Sequence, residues 1–256
     1  MAIRNFLPPT LQAKLWGDRK KWGLVLDEHD VDWEKWQKSQ LEFYQDNQRQ
    51  GFGVKVNDAG YTVMSNIDLS GKTLLEIGPG DIRHIHSWRS KPAEYILADI
   101  DKDMLSKGER IINKAGITSK VMLLQRGQSL PLLDESVDVI VSFYSLEHIY
   151  PLQTYLQELD RVLKPGGTVI GAIPSEGGFA WGLGRFLTSR RWFKQNTSIT
   201  PDKIICWEHP NFADHIIKSL DKQFLRKSLG YWPFKWIPLV DINFIIQFIY
   251  TKKDQK

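Results

Sequence analysis

Apolar and polar positions change rhythm several times along this chain. Up to about residue 50 the sequence is polar with a helical period, and Trp33, Trp36, Leu41 and Tyr44 recur at spacings that share a face. Gly51-Phe52-Gly53 and Asn57-Asp58-Ala59-Gly60 interrupt that rhythm and read as a loop. Short apolar runs then alternate with amphipathic stretches. Strands are predicted at 73–78, 95–99, 121–125, 137–143 and 168–173, and helices at 81–90, 102–115 and 151–163. Pro151 opens the last helix, and Pro165-Gly166-Gly167 stops it. Such alternation predicts a mostly parallel sheet with helices on both faces, a doubly wound α/β fold. Residues 175–206 break the alternation and read as a substrate-side insert after the fifth strand. A helix at 209–221 and strands at 224–231 and 241–251 complete the pattern. The last strand is apolar on both faces, as an interior strand is. The expected division is a Trp-rich helical extension over residues 1–60 and one α/β domain over 61–256.

Two of the predicted strands end in acids. Thr73-Leu74-Leu75-Glu76-Ile77 runs into Gly78-Pro79-Gly80, and Tyr95-Ile96-Leu97-Ala98 ends in Asp99. A strand, a glycine turn and an acid closing the next strand suit a nucleoside site. Glycine lets backbone approach the ligand, and the second acid accepts from ribose hydroxyls. A dinucleotide site would also carry a third glycine. Here the turn continues Asp81-Ile82-Arg83, with an acid where a pyrophosphate would lie. That favours a cationic, phosphate-free nucleoside and leaves an NAD-linked dehydrogenase as a distant alternative.

Four segments in order carry a resemblance. They are Leu74 to Gly80, Ala98 to Leu105, Leu130 to Ile140 and Glu158 to Gly167. Together they resemble the class I S-adenosylmethionine-dependent methyltransferases, close to the small-molecule group that includes the quinone-biosynthesis enzymes. The resemblance is firm over about residues 60–175. It implies a Rossmann-like methyltransferase fold with seven strands, one of them antiparallel, and S-adenosylmethionine as cofactor. By resemblance, Glu76 serves the methionine amino group, usually through water, and Gly78 and Gly80 pass against the cofactor. Asp99 takes the ribose hydroxyls and Ile100 lies on the adenine face. The family's adenine-binding acid is missing from Gln125-Arg126-Gly127-Gln128-Ser129, where Gln128 or Ser129 is the replacement expected. Ser142, at the end of the fourth strand, faces the sulfonium in the family. His148, in Ser145-Leu146-Glu147-His148, is the candidate general base.

Composition narrows the class further. A net charge of +4 spread over 256 residues is too small and too dispersed to suggest nucleic acid. One cysteine, Cys206, excludes an internal disulfide. Met1-Ala2-Ile3-Arg4 leads quickly to Pro8-Pro9, so no export leader is expected, and the expected location is cytoplasmic. Nine of the ten tryptophans flank the matched region, with only Trp88 inside it, and are read equally as a packed cap or as pocket lining. No metal is expected, because His84 and His86 diverge on a helix. Glu208-His209 follows the insert and is read as a pocket contact or a helix cap. The basic run Arg185 to Lys194 is read as an anion site or a solvated face. The expected reaction is O-methylation of a small-molecule or glycan-type acceptor. Rival readings are C-methylation of a lipid-like ring at a membrane surface, with contact through Tyr231 to Trp236, and a nucleoside-binding protein without turnover. A homo-oligomer is compatible with all of them.

Overall fold

A computed structural model describes residues 2–47 and 51–253, and the side chains of Leu41 and Tyr44 lie outside the described set. Helices α1 (Pro9–Trp16), α2 (Arg19–Trp22), α3 (Val31–Asn47) and α4 (Gly51–Tyr61) precede strands β1 (Thr73–Ile77) and β2 (Glu94–Asp99). Helix α5 (Lys102–Lys114), β3 (Thr118–Leu123), β4 (Val137–Phe143), α6 (Leu152–Val162) and β5 (Leu163–Pro174) follow. Three helices, α7 (Phe179–Leu187), α8 (Ser189–Asn196) and α9 (Pro201–Glu208), then lead to α10 (Ala213–Gln223), β6 (Leu225–Trp232) and β7 (Ile245–Thr251).

The seven strands form one sheet in the order β3-β2-β1-β4-β5-β7-β6. β1 to β5 pair in parallel, and β7 runs antiparallel between β5 and β6. This is the Rossmann-like methyltransferase topology that the resemblance implied. Parallel strands buried on both faces need apolar side chains at every position, and Leu74, Leu75, Ile140 and Val141 are wholly buried. One face packs Leu75, Ile140 and Val169 on Leu156 and Leu159 of α6 and Ile216 and Leu220 of α10. The other packs Leu74, Leu97 and Val141 on Val56 of α4 and Leu105 and Ile112 of α5. Among the described residues no helix is long and apolar enough to cross a membrane.

Four expectations need correction. Residues 81–90 are not an α-helix: Ile82 takes a left-handed conformation (φ 47°), and one 3-10 turn, Arg83–Ser87, follows. An α-helix would turn His84 away from the buried carboxylate it serves. The glycine-rich stretch 51–60 is not a loop but α4. Its Gly60 is a packing residue, since a Cβ there would lie 2.9 Å from Ala172 Cβ and 2.0 Å from the Tyr144 hydroxyl. Strand β3 begins at Thr118 rather than 121, because it is an edge strand whose polar first residues leave no apolar trace. Strand β7 begins at Ile245 rather than 241. Asp241 before it instead accepts the Ile3 and Phe179 backbone N–H groups at 3.0 and 3.1 Å.

The insert folds into α7 to α9 and packs with α1 to α3 into a cap. Trp33, Trp36, Phe43, Trp192, Phe193 and Trp207 form its core. Most of the flanking tryptophans thus follow the packed-cap reading. Trp16 is buried beside Gly182 and donates to the Gly178 carbonyl at 3.2 Å. Of the basic run, Arg185 pairs with Glu176 at 2.6 Å and Arg190 with Asp202 at 2.5 Å. These two are structural, while Arg191 and Lys194 face solvent.

Two predictions follow from this packing. Gly60→Ala should cost about 1–3 kcal/mol by overpacking against Tyr144 and Ala172, whereas Gly184→Ala in α7, with nothing near its Cβ position, should be neutral or stabilise by up to about 1 kcal/mol. Urea unfolding of both variants checks this. Asp138 Oδ2 accepts from the Thr73 N–H and from Lys164, each at 2.9 Å. Burial opposes its ionisation, but those two donors outweigh burial and hold its carboxyl below the usual range. Its contribution is therefore full above the unfolded value of about 3.9 and is lost as pH falls through the lower folded value. Asp138→Ala should lose about 1–2 kcal/mol at pH 7, and the gap to wild type should close below about pH 3.9.

Candidate functional site

The strand order reverses between β1 and its neighbours β2 and β4, which opens a crevice at their C-terminal ends. Gly78 turns the chain there with φ 66°, where a side chain would be strained and a Cβ would meet Ser145 at 2.9 Å. Around the Cβ position of Gly80 nothing lies within 4 Å, so the turn borders open space. Asp99 ends β2 half-buried, and burial pushes its carboxyl pKa up. One of its oxygens accepts the Asp101 N–H at 2.9 Å. Beside it Ile100 keeps 50% of its surface exposed, an apolar face uncovered by protein. An open glycine edge, a hydrogen-bond acceptor and a bare apolar face make a cradle that fits a nucleoside. Asp81, next in the turn, is ion-paired with Lys107 of α5.

Glu76 lies below this cradle and is wholly buried. One carboxylate oxygen accepts from the Tyr95 hydroxyl and the other from His84 Nε2 at 2.8 Å. The Trp88 indole donates to His84 Nδ1 at 3.0 Å. Since indole can only donate, His84 Nδ1 carries no proton, and the ring is neutral with its proton on Nε2. Glu76 is thus a satisfied buried acid supporting the turn, with both oxygens engaged by protein.

The end of β4 joins the crevice to a second group of polar residues. Ser142 is buried, its Oγ lies 2.6 Å from Ser145 Oγ, and Ser145 donates to the Ile77 carbonyl at 3.0 Å. Three residues on, His148 is partly exposed, and its Nδ1 donates to the Glu208 backbone carbonyl. That bond leaves the Nε2 lone pair available. Glu147 is buried, and burial raises its pKa to about 7 against the pull of His148. The His209 ring stands 4.7 Å from the His148 ring, centroid to centroid. Its Nδ1 lies 3.3 Å from Glu176 Oε2. Burial lowers the His209 pKa to about 4 although Glu176 opposes this. Glu176 is wholly buried and bound by both Arg185 and Trp181. Burial disfavours its charge, yet Arg185 and His209 hold it well below the usual carboxylate range. One donor atom from each of His148, Glu208 and His209 lies within 4.8 Å of the others.

Of the expected site residues, Gly78, Gly80, Asp99 and Ile100 share the cradle, with Ser142 behind it. Gln128 and Ser129 are exposed on the loop leaving β3 beyond Asp99, where Gln128 donates to Gln125 at 2.9 Å. The sequence reading passed over Glu176, although it follows an apolar strand as Glu76 and Asp99 do. It also missed Tyr144, whose φ of 55° and hydrogen bond to the Asn57 carbonyl (2.6 Å) seat α4 over the sheet edge.

Residues 75–171 match a family model described as a methyltransferase domain. The ubiquinone/menaquinone biosynthesis C-methyltransferase UbiE of Shewanella oneidensis is 30% identical over 129 residues, 48% of this chain and 51% of that protein. The demethylmenaquinone methyltransferase of Bacillus velezensis is 35% identical over 72 residues, 28% of this chain and 31% of that protein. The chain therefore spans about half the length, or less, of these curated relatives. Among solved structures, a SAM-dependent methyltransferase from Methanosarcina mazei aligns with a TM-score of 0.51 at 17% identity, covering 74% of this chain and 96% of that one. The [4+2]-cyclase SpnF aligns with a TM-score of 0.53 at 14% identity, covering 78% and 82%. At these identities the likeness is one of fold.

The Glu76 network gives a clean test. Tyr95→Phe keeps the ring and leaves one buried carboxylate oxygen without its donor, so urea unfolding should report a loss of about 1–3 kcal/mol.

Proposed function

We infer, because residues 75–171 match a methyltransferase domain, that this chain binds S-adenosylmethionine and transfers its methyl group to an acceptor oxygen. The observation that carries this reading is the cradle of open Gly80, half-buried Asp99 and bare Ile100 inside the matched domain. The cofactor supplies an electrophilic methyl carbon on a positively charged sulfur. Asp99 accepts from its ribose hydroxyls, and Ile100 packs on its adenine. Gly78 and Gly80 keep side chains out of its path. Gln128 and Ser129 are the polar groups available to the adenine edge, and Glu76 holds the turn rigid from beneath. Ser142, close behind the turn, borders the sulfonium.

The chain's task in the transfer is alignment, since an in-line displacement needs the acceptor oxygen held on the far side of the methyl group. His148 Nε2 would take the proton of the acceptor hydroxyl as that oxygen is methylated, the cofactor leaving as its neutral thioether. The partly exposed Glu208 and His209 beside His148 suit a hydroxyl-bearing small molecule or glycan terminus. A second reading is C-methylation of a lipid-like ring at a membrane surface. The name of the Shewanella relative, a C-methyltransferase, favours it, as does the apolar loop carrying Trp236 at 96% exposure with Phe234 and Ile237. Transfer stimulated by liposomes would select that reading.

Calorimetric titration with S-adenosylhomocysteine should show micromolar binding, with no binding of NAD. Asp99→Ala should weaken it by at least about tenfold, the worth of one good hydrogen bond to a charged group. His148→Ala should retain the binding and lose transfer of labelled methyl to a hydroxyl acceptor panel. Absence of S-adenosylhomocysteine binding would overturn the assignment.

A further inference from the structure

We propose that one face of this protein, made of the 233–239 loop, the outer side of α7 and a basic rim from α1 and α8, is a docking surface for an anionic lipid bilayer. Helix α7 presents apolar residues to water. Phe179, Leu183, Phe186 and Leu187 recur at helical spacing and all four are exposed, Leu187 at 59%. The opposite side of the helix is packed inward, where Trp181 and Arg185 reach Glu176. The loop between β6 and β7 repeats this inversion. Asn243 is wholly buried, accepts the Phe234 N–H at 2.8 Å and donates to the carbonyls of Ile237 and Leu239 at 2.8 and 2.9 Å. The loop backbone is thus tied down while Phe234, Trp236, Ile237 and Leu239 stay exposed.

The two segments belong to one face. Asp241 accepts the Phe179 N–H with one carboxylate oxygen and the Ile3 N–H with the other, at 3.1 and 3.0 Å. That joins the end of the loop to the start of α7 and to the N-terminal turn, whose Ile3 and Phe6 are also exposed. A Cβ on Gly178 would lie 2.3 Å from the Val240 carbonyl, so loop and helix touch. Exposed apolar surface gathered from three distant segments marks an interaction site.

Charge decides what covers it. A cavity of about 460 Å³ opens between α1, α7 and α8, lined by Lys14, Phe186, Leu187, Arg190, Arg191 and Lys194. Arg190 is held by Asp202, but among the described residues Lys14, Arg191 and Lys194 have no carboxylate partner. Lys235 adds a further exposed cation in the loop. Apolar side chains flanked by unneutralised Lys and Arg match a bilayer surface, where the first enter the acyl boundary and the second meet lipid phosphates. Trp236 is the residue type that anchors at that boundary. A second copy of this chain fits less well, since a two-fold contact would gather the cations of both copies into one interface.

The surface is independent of which acceptor atom is methylated. Its place beside the site rests on the methyltransferase reading above. Helix α7 links the docked face to Glu176, which lies against His209 beside His148. A bilayer on the outer side of α7 therefore stands next to the acceptor side, where it supplies hydroxyl-bearing amphiphiles.

The test is co-sedimentation of the full chain with vesicles of phosphatidylcholine alone and of phosphatidylcholine mixed with phosphatidylglycerol. Binding to the mixed vesicles is expected, weakening as salt is raised, with little binding to phosphatidylcholine alone. Arg191→Glu combined with Lys194→Glu should weaken it at least about tenfold. Trp236→Ser, in a different segment of the chain, should weaken it several-fold. Matching urea unfolding curves show that these exposed substitutions leave the fold intact. No binding to either vesicle, equal binding to both, or equal binding by wild type and both variants overturns the surface. A dimer in sedimentation velocity that both variants dissociate assigns the face to a second copy and overturns it as well. S-adenosylhomocysteine, titrated into the same samples, reports on the methyltransferase reading separately, and its failure to bind leaves the vesicle result standing.

Discussion

Four parallel strands deliver polar side chains to one buried edge, and those groups must find partners there. Glu76 follows the apolar run of β1, Asp99 ends β2, Ser142 lies near the end of β4 and Glu176 follows β5. Glu76, Ser142 and Glu176 are buried. A buried carboxylate without partners costs several kcal/mol, so neighbouring segments are shaped to supply donors. The stretch after Gly80 gives up an α-helix so that His84 reaches Glu76. Helix α7 sends Trp181 and Arg185 to Glu176. Asp99 is the acid left with an open flank, and that flank is where the cradle lies.

The cap depends on the same edge. Phe212 is held between the guanidinium groups of Arg4 and Arg19, 4.2 and 3.7 Å from its ring centroid. Arg4 also binds Asp214, and Arg19 holds the backbone of His209 and Pro210. The N-terminal helices therefore do more than cover the domain. They fix the segment that brings His209 against His148. The tryptophan-rich core of the cap is the apolar mass behind that clamp, and Trp36 reaches out of it to Glu208.

Close packing over the sheet also decides where backbone can run. Helix α4 lies near enough to β5 that only glycine fits at position 60. Gln247 of β7 donates to the Ala59 carbonyl at 2.6 Å, closing the end of the helix. Gly60, which read as part of a loop signal, is what permits this helix to dock.

The doubly wound sheet and its strand sequence were legible in the chain from local periodicity, and the turn at Gly78 and Gly80 from its need for glycine, whereas Ile100 was singled out by the resemblance alone. Tertiary structure alone decided that 81–90 would not be an α-helix and that 51–60 would be one. There, satisfying Glu76 and packing against Ala172 outweighed local propensity. It alone decided that Arg185 neutralises Glu176 instead of meeting an anion in solvent. It alone brought Glu147-His148 against Glu208-His209. Spacing along a sequence carries information about neighbours on one element. The placement of two strand-end and helix-end dipeptides sixty-one residues apart is set by the crossover between them and by the N-terminal clamp.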